Sequence, residues 1–163
     1  MFRDDLVAVA SGDAPADLVI KNGKLVNVNS GEIYPADVAI KGDRIAAIGE
    51  VDYAIGVDTE VVDATGRYLC PGLIDGHIHL GGSQFSMTEF ARVVVPHGTT
   101  VLSTDLYEIG VVAGRKAMRF ALDELKATPI KVLLNIPPHA YLGLGPLGNP
   151  GNITTDDVLN ILD

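Results

Sequence analysis

The chain has 163 residues, of which 47% are hydrophobic and 20% are charged, so its composition is that of a globular protein and excludes a disordered one. Its formal net charge of −9 at pH 7 argues against a nucleic-acid partner, because proteins bind phosphate backbones with clustered Lys and Arg. Without an apolar run of about 18 residues, a secretory signal or a second cysteine, the chain is expected to be soluble and cytoplasmic, with no membrane partner.

Short apolar segments separated by turn signals fill the first part of the chain, up to about residue 66. The dipeptides Asn22-Gly23, Ser30-Gly31 and Gly42-Asp43 divide these segments at the spacing of β-hairpins. The pattern predicts a small antiparallel β segment over residues 1–66.

The pattern changes after Pro71-Gly72, where the apolar run L-I-D-G-H-I-H-L is bounded by glycines. Such a run is typical of a parallel strand that is buried on both faces. Ser86 and Glu89 then have the spacing of a capping box, and an apolar stripe follows them until Pro96. We therefore predict a helix directly after the strand.

The same alternation of strand and helix continues to the end of the sequence. T-T-V-L-S-T-D predicts a second strand, residues 108–128 a second helix, and I-K-V-L-L-N-I a third strand. A loop rich in Gly and Pro over residues 139–151 precedes a last helix that begins near Thr154. The alternation indicates βα units around a parallel sheet, so the fold class is α/β.

A closed (β/α)8 barrel takes about 250 residues, whereas residues 67–163 supply enough for about three of its eight units. An incomplete TIM-like barrel would leave a sheet edge and an apolar interior exposed. The sequence therefore predicts a second polypeptide that completes the barrel.

His77 and His79 lie at the C-terminal end of the first predicted strand of this part. Residues i and i+2 of a strand point to the same side, so both imidazoles can meet one metal ion. Barrel enzymes also assemble their active sites at this end of the strands. A pair of solvated or hydrogen-bonded histidines is the alternative interpretation of an H-x-H sequence.

The sequence P-G-L-I-D-G-H-I-H-L, after a β-rich segment that ends V-V-D-A-T-G-R-Y-L-C, resembles the amidohydrolase superfamily. V-V-P-H-G-T-T-V at residues 94–101, followed by Asp105 and Glu108-Ile109, is similar to the adenine deaminase branch. That branch typically has H-I-H-x-E-S-S where this chain has Gly81 and Gly82, and D-P-H-E where it has Leu106 and Tyr107 between the two acids.

The resemblance implies a small antiparallel β-sandwich segment followed by the N-terminal part of a (β/α)8 barrel. It also implies a divalent metal ion, Zn, Mn or Fe, that is held by His77 and His79 and shared with ligands from elsewhere. Such an ion makes water a nucleophile at neutral pH and polarises the carbon under attack. The reaction implied is hydrolysis of a C–N bond.

Three further residues are candidates for substrate binding. Asp105 and Glu108 follow the second predicted strand, where they would bind substrate or accept a hydrogen bond from a metal-ligand histidine. Alternatively, both are ordinary acidic residues at a helix start. His139 follows the third strand and is a candidate substrate contact, or else a loop histidine without a role. His97 lies in a turn at the opposite end of the strands and is expected to be structural.

The leading interpretation is one subunit of a split metal-dependent hydrolase, within a higher hetero-oligomer, that acts on a cyclic amide, imide or amidine. The partner would supply the other ligands and the catalytic acid, so we assign no catalytic residue to this chain. The alternatives are a non-catalytic structural or regulatory subunit, which metal content would distinguish, and a fragment of a single-chain adenine deaminase, which intact mass would distinguish.

Overall fold

The computed structural model describes residues 3–135 and residue 156. It divides the chain into two compact units, Met1–Pro71 and Gly72–Asp163. The predicted loop over residues 139–151, its His139 and the last predicted helix near Thr154 lie outside the described residues. Among the described residues, no helix is long and apolar enough to cross a membrane.

The first unit combines one helix with one mixed β-sheet. Its elements are α1 (Arg3–Ser11), β1 (Leu18–Asn27), β2 (Glu32–Lys41), β3 (Arg44–Gly49), β4 (Glu60–Asp63) and β5 (Tyr68–Leu69). The strand order is β3-β2-β1-β4, with β5 also paired to β1. β1, β2 and β3 pair antiparallel as predicted, but β4 and β5 run parallel to β1, so the wholly antiparallel prediction is wrong for these two strands. The sequence analysis also missed α1.

Two of the three predicted turns have the expected conformation. Gly31 and Gly42, at φ 75° and 57°, lie in the connections before and after β2, where a left-handed backbone favours glycine. The third prediction is wrong, because Asn22-Gly23 lies inside β1 as a bulge, with a register shift between Ile20 and Gly23. The backbone N–H of Asn22 is satisfied there by the carboxylate of Asp37, at 2.8 Å.

The two faces of this sheet differ in how they are covered. Val19 and Ala39 are fully buried in a small core with Val9 of α1. The opposite face carries a row of apolar residues across four strands, in the register Val62, Ile20, Val38 and Ile48. Ile48 of that row is 47% exposed. The described residues of this unit form a single sheet, and a second sheet, as a sandwich requires, is not among them.

The second unit consists of alternating parallel strands and helices. Its elements are β6 (Leu73–Ile78), α2 (Met87–Val94), β7 (Thr99–Thr104), α3 (Tyr107–Lys126) and β8 (Lys131–Leu134). The three strands are parallel in the order β6-β7-β8. The α/β prediction is confirmed for two complete βα units and a third strand.

The helices of this unit cover one side of its sheet. α2 starts at the predicted capping box, where the hydroxyl of Ser86 accepts a hydrogen bond from the backbone N–H of Glu89 at 3.3 Å. Its buried side chains Met87, Phe90 and Ala91 join a core with Leu102 of β7 and with Met118 and Leu125 of α3. This core fixes the strand ends on which the functional residues lie.

The first strand of this unit is more exposed than its sequence predicts. Leu73 and Ile74 are consecutive and therefore point to opposite faces, yet they are 60% and 66% exposed. The prediction of a strand buried on both faces is thus wrong within the described residues. Over residues 3–135, β6 and β8 also each have a neighbouring strand on one side only.

Candidate metal centre

The two imidazoles that the sequence predicts as metal ligands lie side by side at the C-terminal end of β6. Ile78 packs against the core on the helix side of the sheet, so its neighbours His77 and His79 project from the other side. Their Nε2 atoms are 3.2 Å apart, and the two rings are nearly perpendicular, at 87°. The strand thus presents two ring nitrogens to the same point.

This separation fits a shared metal ion. Zinc binds imidazole nitrogen at about 2.0–2.1 Å in a tetrahedral arrangement, which places two nitrogen ligands about 3.3 Å apart. The observed 3.2 Å between the Nε2 atoms of His77 and His79 agrees with that value. Both rings are also accessible in the described structure. The donor set therefore suits a first-row divalent ion, although two nitrogens alone are fewer than the protein ligands of a catalytic site.

A buried carboxylate contacts the ring of His79 on the side away from Nε2. Asp105 follows β7, is 7% exposed, and places its Oδ1 3.1 Å from Nδ1 of His79. Oδ1 also accepts the backbone N–H of Tyr107 at 3.0 Å, which holds the carboxylate in place. With a proton on Nδ1 that donates to Asp105, the lone pair of His79 is on Nε2, where a metal would bind.

Asp105 has two geometric interpretations. Its carboxylate and the two imidazoles offer one ligand atom each within 4.8 Å of one another, which would allow a third ligand. However, the 3.1 Å contact of Asp105 is made with Nδ1 of His79, on the side of the ring away from the Nε2 pair. The arrangement is therefore that of a hydrogen-bond acceptor that orients a ligand histidine.

A second carboxylate lies nearby. Glu108 is the second residue of α3, and its Oε1 is 3.9 Å from Nδ1 of His79. Leu106 turns the chain between β7 and α3 in the left-handed region, at φ 50° and ψ 33°, with its side chain fully buried. Such a conformation costs a non-glycine residue on the order of 1–3 kcal/mol. The turn brings Asp105 and Glu108, on either side of it, to the same ring nitrogen.

The structure thus brings together four of the predicted site residues, namely His77, His79, Asp105 and Glu108. The predicted substrate contact His139 lies outside the described residues. His97 is exposed in the turn Val95–His97, which precedes β7, at the opposite end of that strand from Asp105.

Sequence reasoning assigned no role to two neighbours of the pair. The ring centroid of Tyr107 is 6.2 Å from that of His79, and Gly81 contacts the side chain of Glu108. Sequence reasoning could have identified them, because Gly81 and Tyr107 both depart from the sequence patterns of the adenine deaminase branch.

Comparison with known proteins finds adenine deaminases among the relatives of this chain. No family model matches the chain. An adenine deaminase from Moorella thermoacetica is 51% identical over 133 residues, which are 82% of this chain and 22% of the relative. The chain therefore spans about a fifth of the length of the curated relative that it matches.

Solved structures show the same architecture. An adenine deaminase matches with a TM-score of 0.50 and 25% identity, over 74% of this chain and 30% of that protein. A D-aminoacylase with a binuclear metal centre matches with a TM-score of 0.58 and 20% identity, over 89% of this chain and 34% of the other. The second similarity concerns the fold alone.

Proposed function

Because the chain belongs to the adenine deaminase-like branch of the amidohydrolase superfamily, we propose that it carries part of the active site of a metal-dependent C–N hydrolase. One observation carries the proposal most directly. Nε2 of His77 and Nε2 of His79 are 3.2 Å apart at the C-terminal end of β6, and Asp105 contacts the far side of the His79 ring. A hydrogen bond between the two imidazoles would also explain the 3.2 Å contact, whereas the carboxylate on Nδ1 of His79 favours a metal ion at Nε2.

His77 and His79 would hold a divalent ion, Zn, Mn or Fe, through their Nε2 atoms. Such an ion lowers the pKa of water towards neutrality and polarises the carbon under attack. Asp105 accepts a hydrogen bond from the Nδ1–H group of His79 and so leaves the lone pair of Nε2 free. Further ligands and the catalytic acid come from βα units outside the described residues in this proposal.

The substrate class proposed is a small cyclic amide, imide or amidine, as in a purine-deaminase-like reaction. Deamination of a ring and opening of a cyclic amide both begin with attack of activated water on a carbon bonded to nitrogen. The proposed substrate-binding residues of this chain are His139 and, as the alternative to orienting His79, Asp105 and Glu108. Asp105 and Glu108 follow β7, at the strand end where barrel enzymes bind substrate, whereas His139 lies outside the described residues.

The proposal assigns residues 67–163 to the first three βα units of a barrel and the remaining units to a second polypeptide in a hetero-oligomer. The exposed Leu73 and Ile74 of β6 support it, because a closed barrel buries both faces of its strands. The alternative is that the remaining units follow in one longer polypeptide. The intact mass of the natural protein distinguishes the two arrangements. A cytoplasmic location completes the proposal, which the single cysteine favours.

We also propose that the sheet of the first unit forms one half of the β-sandwich that the resemblance implies. Its apolar row of Ile20, Val38, Ile48 and Val62 is continuous across four strands and faces away from α1. A second sheet packed about 10 Å away would bury this row, as in sandwich proteins.

Removal and return of the metal tests the proposed function in the intact protein. We expect chelated protein to release no ammonia from adenine and to open no cyclic amide, and divalent metal to restore one of these activities. His77→Ala and His79→Ala should abolish that activity, whereas His97→Ala, at the other end of β7, should retain it. Full activity of metal-free His77→Ala protein would show that the proposal is wrong.

A further inference from the structure

Glu108 occupies a space that exists because residue 81 is glycine. A Cβ atom on Gly81 would lie 2.8 Å from Cβ of Glu108 and 2.9 Å from its Oε2. Separations of this kind are below ordinary van der Waals contact, so any side chain at position 81 displaces Glu108. The next residue differs, because a Cβ on Gly82 would meet Oε1 of Glu108 at 3.5 Å, an ordinary contact.

One oxygen of the carboxylate in that space lacks a hydrogen-bond partner within the described part of the chain, although the side chain as a whole is 37% exposed. Its Oε2 is buried and has no hydrogen-bond donor among the described residues. Burial of an unpaired carboxylate oxygen costs free energy, so the packing of Glu108 against Gly81 is unfavourable on its own. The position at the start of α3 offsets part of this cost, because the helix dipole favours negative charge there.

A cation bound at Nε2 of His79 would offset the remaining free-energy cost of burying this oxygen of Glu108. Nδ1 of His79 faces two carboxylates, with Oδ1 of Asp105 at 3.1 Å and Oε1 of Glu108 at 3.9 Å. Asp105 already accepts the hydrogen bond from Nδ1–H, so Glu108 adds negative charge rather than a second close hydrogen bond. Two carboxylates and two neutral imidazoles balance the charge of one divalent ion at the Nε2 pair.

We propose that Glu108 is a second positioning residue of the metal centre, an inference that rests on the proposed function. Its carboxylate, seated against Gly81, acts with Asp105 through the imidazole of His79 to strengthen the binding of a divalent cation. In this structure Gly81 leaves room for Glu108, because a Cβ atom at position 81 would overlap its side chain. If Glu108 is instead an ordinary acidic residue of a helix start, its removal lowers helix stability and leaves metal affinity unchanged.

The test is a double-mutant cycle on the zinc affinity of the intact protein, measured by competition with a chelator of known affinity. We expect Glu108→Ala to lower the affinity by about 10-fold, at the lower end of the effect of residues that orient metal ligands. Gly81→Ala should lower it by a similar factor, because the new Cβ displaces Glu108. The double variant should bind no more weakly than either single variant, since both changes remove the same interaction.

Gly82→Ala is the matched control, because it adds the same methyl group one residue away without displacing Glu108. It should bind zinc as tightly as the unchanged protein. Glu108→Gln keeps the shape of the side chain and removes its charge, so it should weaken zinc binding without lowering the melting temperature of the metal-free protein. This variant keeps the test valid even where Gly81→Ala fails to fold.

The outcomes separate this inference from the proposed function. If the unchanged protein binds no divalent ion, the proposed function is wrong and the inference falls with it. If it binds zinc and the Gln variant binds equally well, or if the losses from Gly81→Ala and Glu108→Ala add in the double variant, only the inference is overturned.

Discussion

Two carboxylates approach one nitrogen of His79, and at the residue scale this detail supports the metal centre proposed at His77 and His79. Alternation along a strand is enough to predict that His77 and His79 share a side, because the rule is local. The roles of Asp105 and Glu108 were predicted only as one alternative. Choosing between a hydrogen bond to a histidine and a helix-start charge requires the turn at Leu106, whose positive φ the sequence does not reveal.

Asp105→Ala tests the orienting contact. The change removes the acceptor for Nδ1 of His79, so the imidazole can rotate or carry its proton on Nε2, and we expect the affinity for a divalent ion to fall by about 10- to 100-fold. Isothermal titration of the intact, metal-free protein with zinc measures the change. An affinity equal to that of the unchanged protein would show that Asp105 does not orient His79.

At the scale of the element, the start of α2 and the alternation of strand and helix in the second unit were predicted correctly. The capping box at Ser86 and the parallel strands β6, β7 and β8 appear where the sequence predicts them. The hairpin turn predicted at Asn22-Gly23 is wrong, because the same dipeptide is compatible with a hairpin turn and with a β-bulge. The parallel pairing of β4 and β5 with β1 depends on contacts between residues distant in sequence, such as Val19 with Val61, which periodicity does not encode.

The apolar residues of α3 show a further limit of periodicity. Val112, Phe120 and Ala121 all recur at helical spacing, but Val112 and Phe120 are 69% and 73% exposed and only Ala121 of the three is buried. Met118 and Leu125 share the buried face with Ala121. Apolar residues occur around much of this helix, so the spacing alone does not select the side that packs against the sheet.

Ser86→Ala tests the start of α2. The hydroxyl of Ser86 accepts the backbone N–H of Glu89, and loss of such a cap costs about 1 kcal/mol of unfolding free energy. Denaturant unfolding of the intact protein should show this loss, and Ser86→Thr, which keeps the cap acceptor and the hydroxyl that donates to Glu124, should show little. An equal loss in both variants would mean that the cap is not what stabilises the helix.

Asp63 accepts a hydrogen bond from Asn22 in the bulge of β1, and this contact makes the stability of the protein sensitive to acid. Hydrogen bonds from the side chains of Asn22 and Thr65 hold the pKa of Asp63 below its ordinary value of 3.8. A carboxyl with a lowered pKa stabilises the folded state above its ordinary pKa, and this contribution is lost as the pH falls through the lowered one. We therefore expect the unfolding free energy to decline below about pH 4, following the reference pKa of Asp.

Asp63→Asn provides the comparison, because the amide does not titrate. Its unfolding free energy should depend less on pH over this acid range than that of the unchanged protein. The measurement is chemical denaturation at a series of pH values. Parallel curves for the two proteins would contradict the assignment of the acid response to Asp63.

At the scale of the whole molecule, the sequence predicts the alternation of strand and helix in the second unit, which the structure confirms as far as β8. It does not predict which surfaces are left uncovered. β6 was expected to be buried on both faces because its sequence is apolar, yet Leu73 and Ile74 are exposed in the described residues. We interpret this difference as the surface against which the remaining βα units pack.

Ile74→Asp tests that interpretation. A charge placed in a barrel wall opposes its closure, whereas the 66% exposure of Ile74 means that this unit itself loses little packing. Under the proposed split arrangement, sedimentation of the tagged chain should therefore show weaker association with the second polypeptide. Val57→Asp, at a position that is 99% exposed, should leave association unchanged. Equal association of both variants would argue against β6 as part of the interface.

The most direct test of the central claim is the position of the metal in a crystal of the intact protein, recorded at the zinc absorption edge after zinc is added. We expect one anomalous peak about 2.0–2.1 Å from Nε2 of both His77 and His79, with Asp105 still hydrogen-bonded to Nδ1 of His79. A peak bound elsewhere, or two imidazoles without metal between them at saturating zinc, would contradict it.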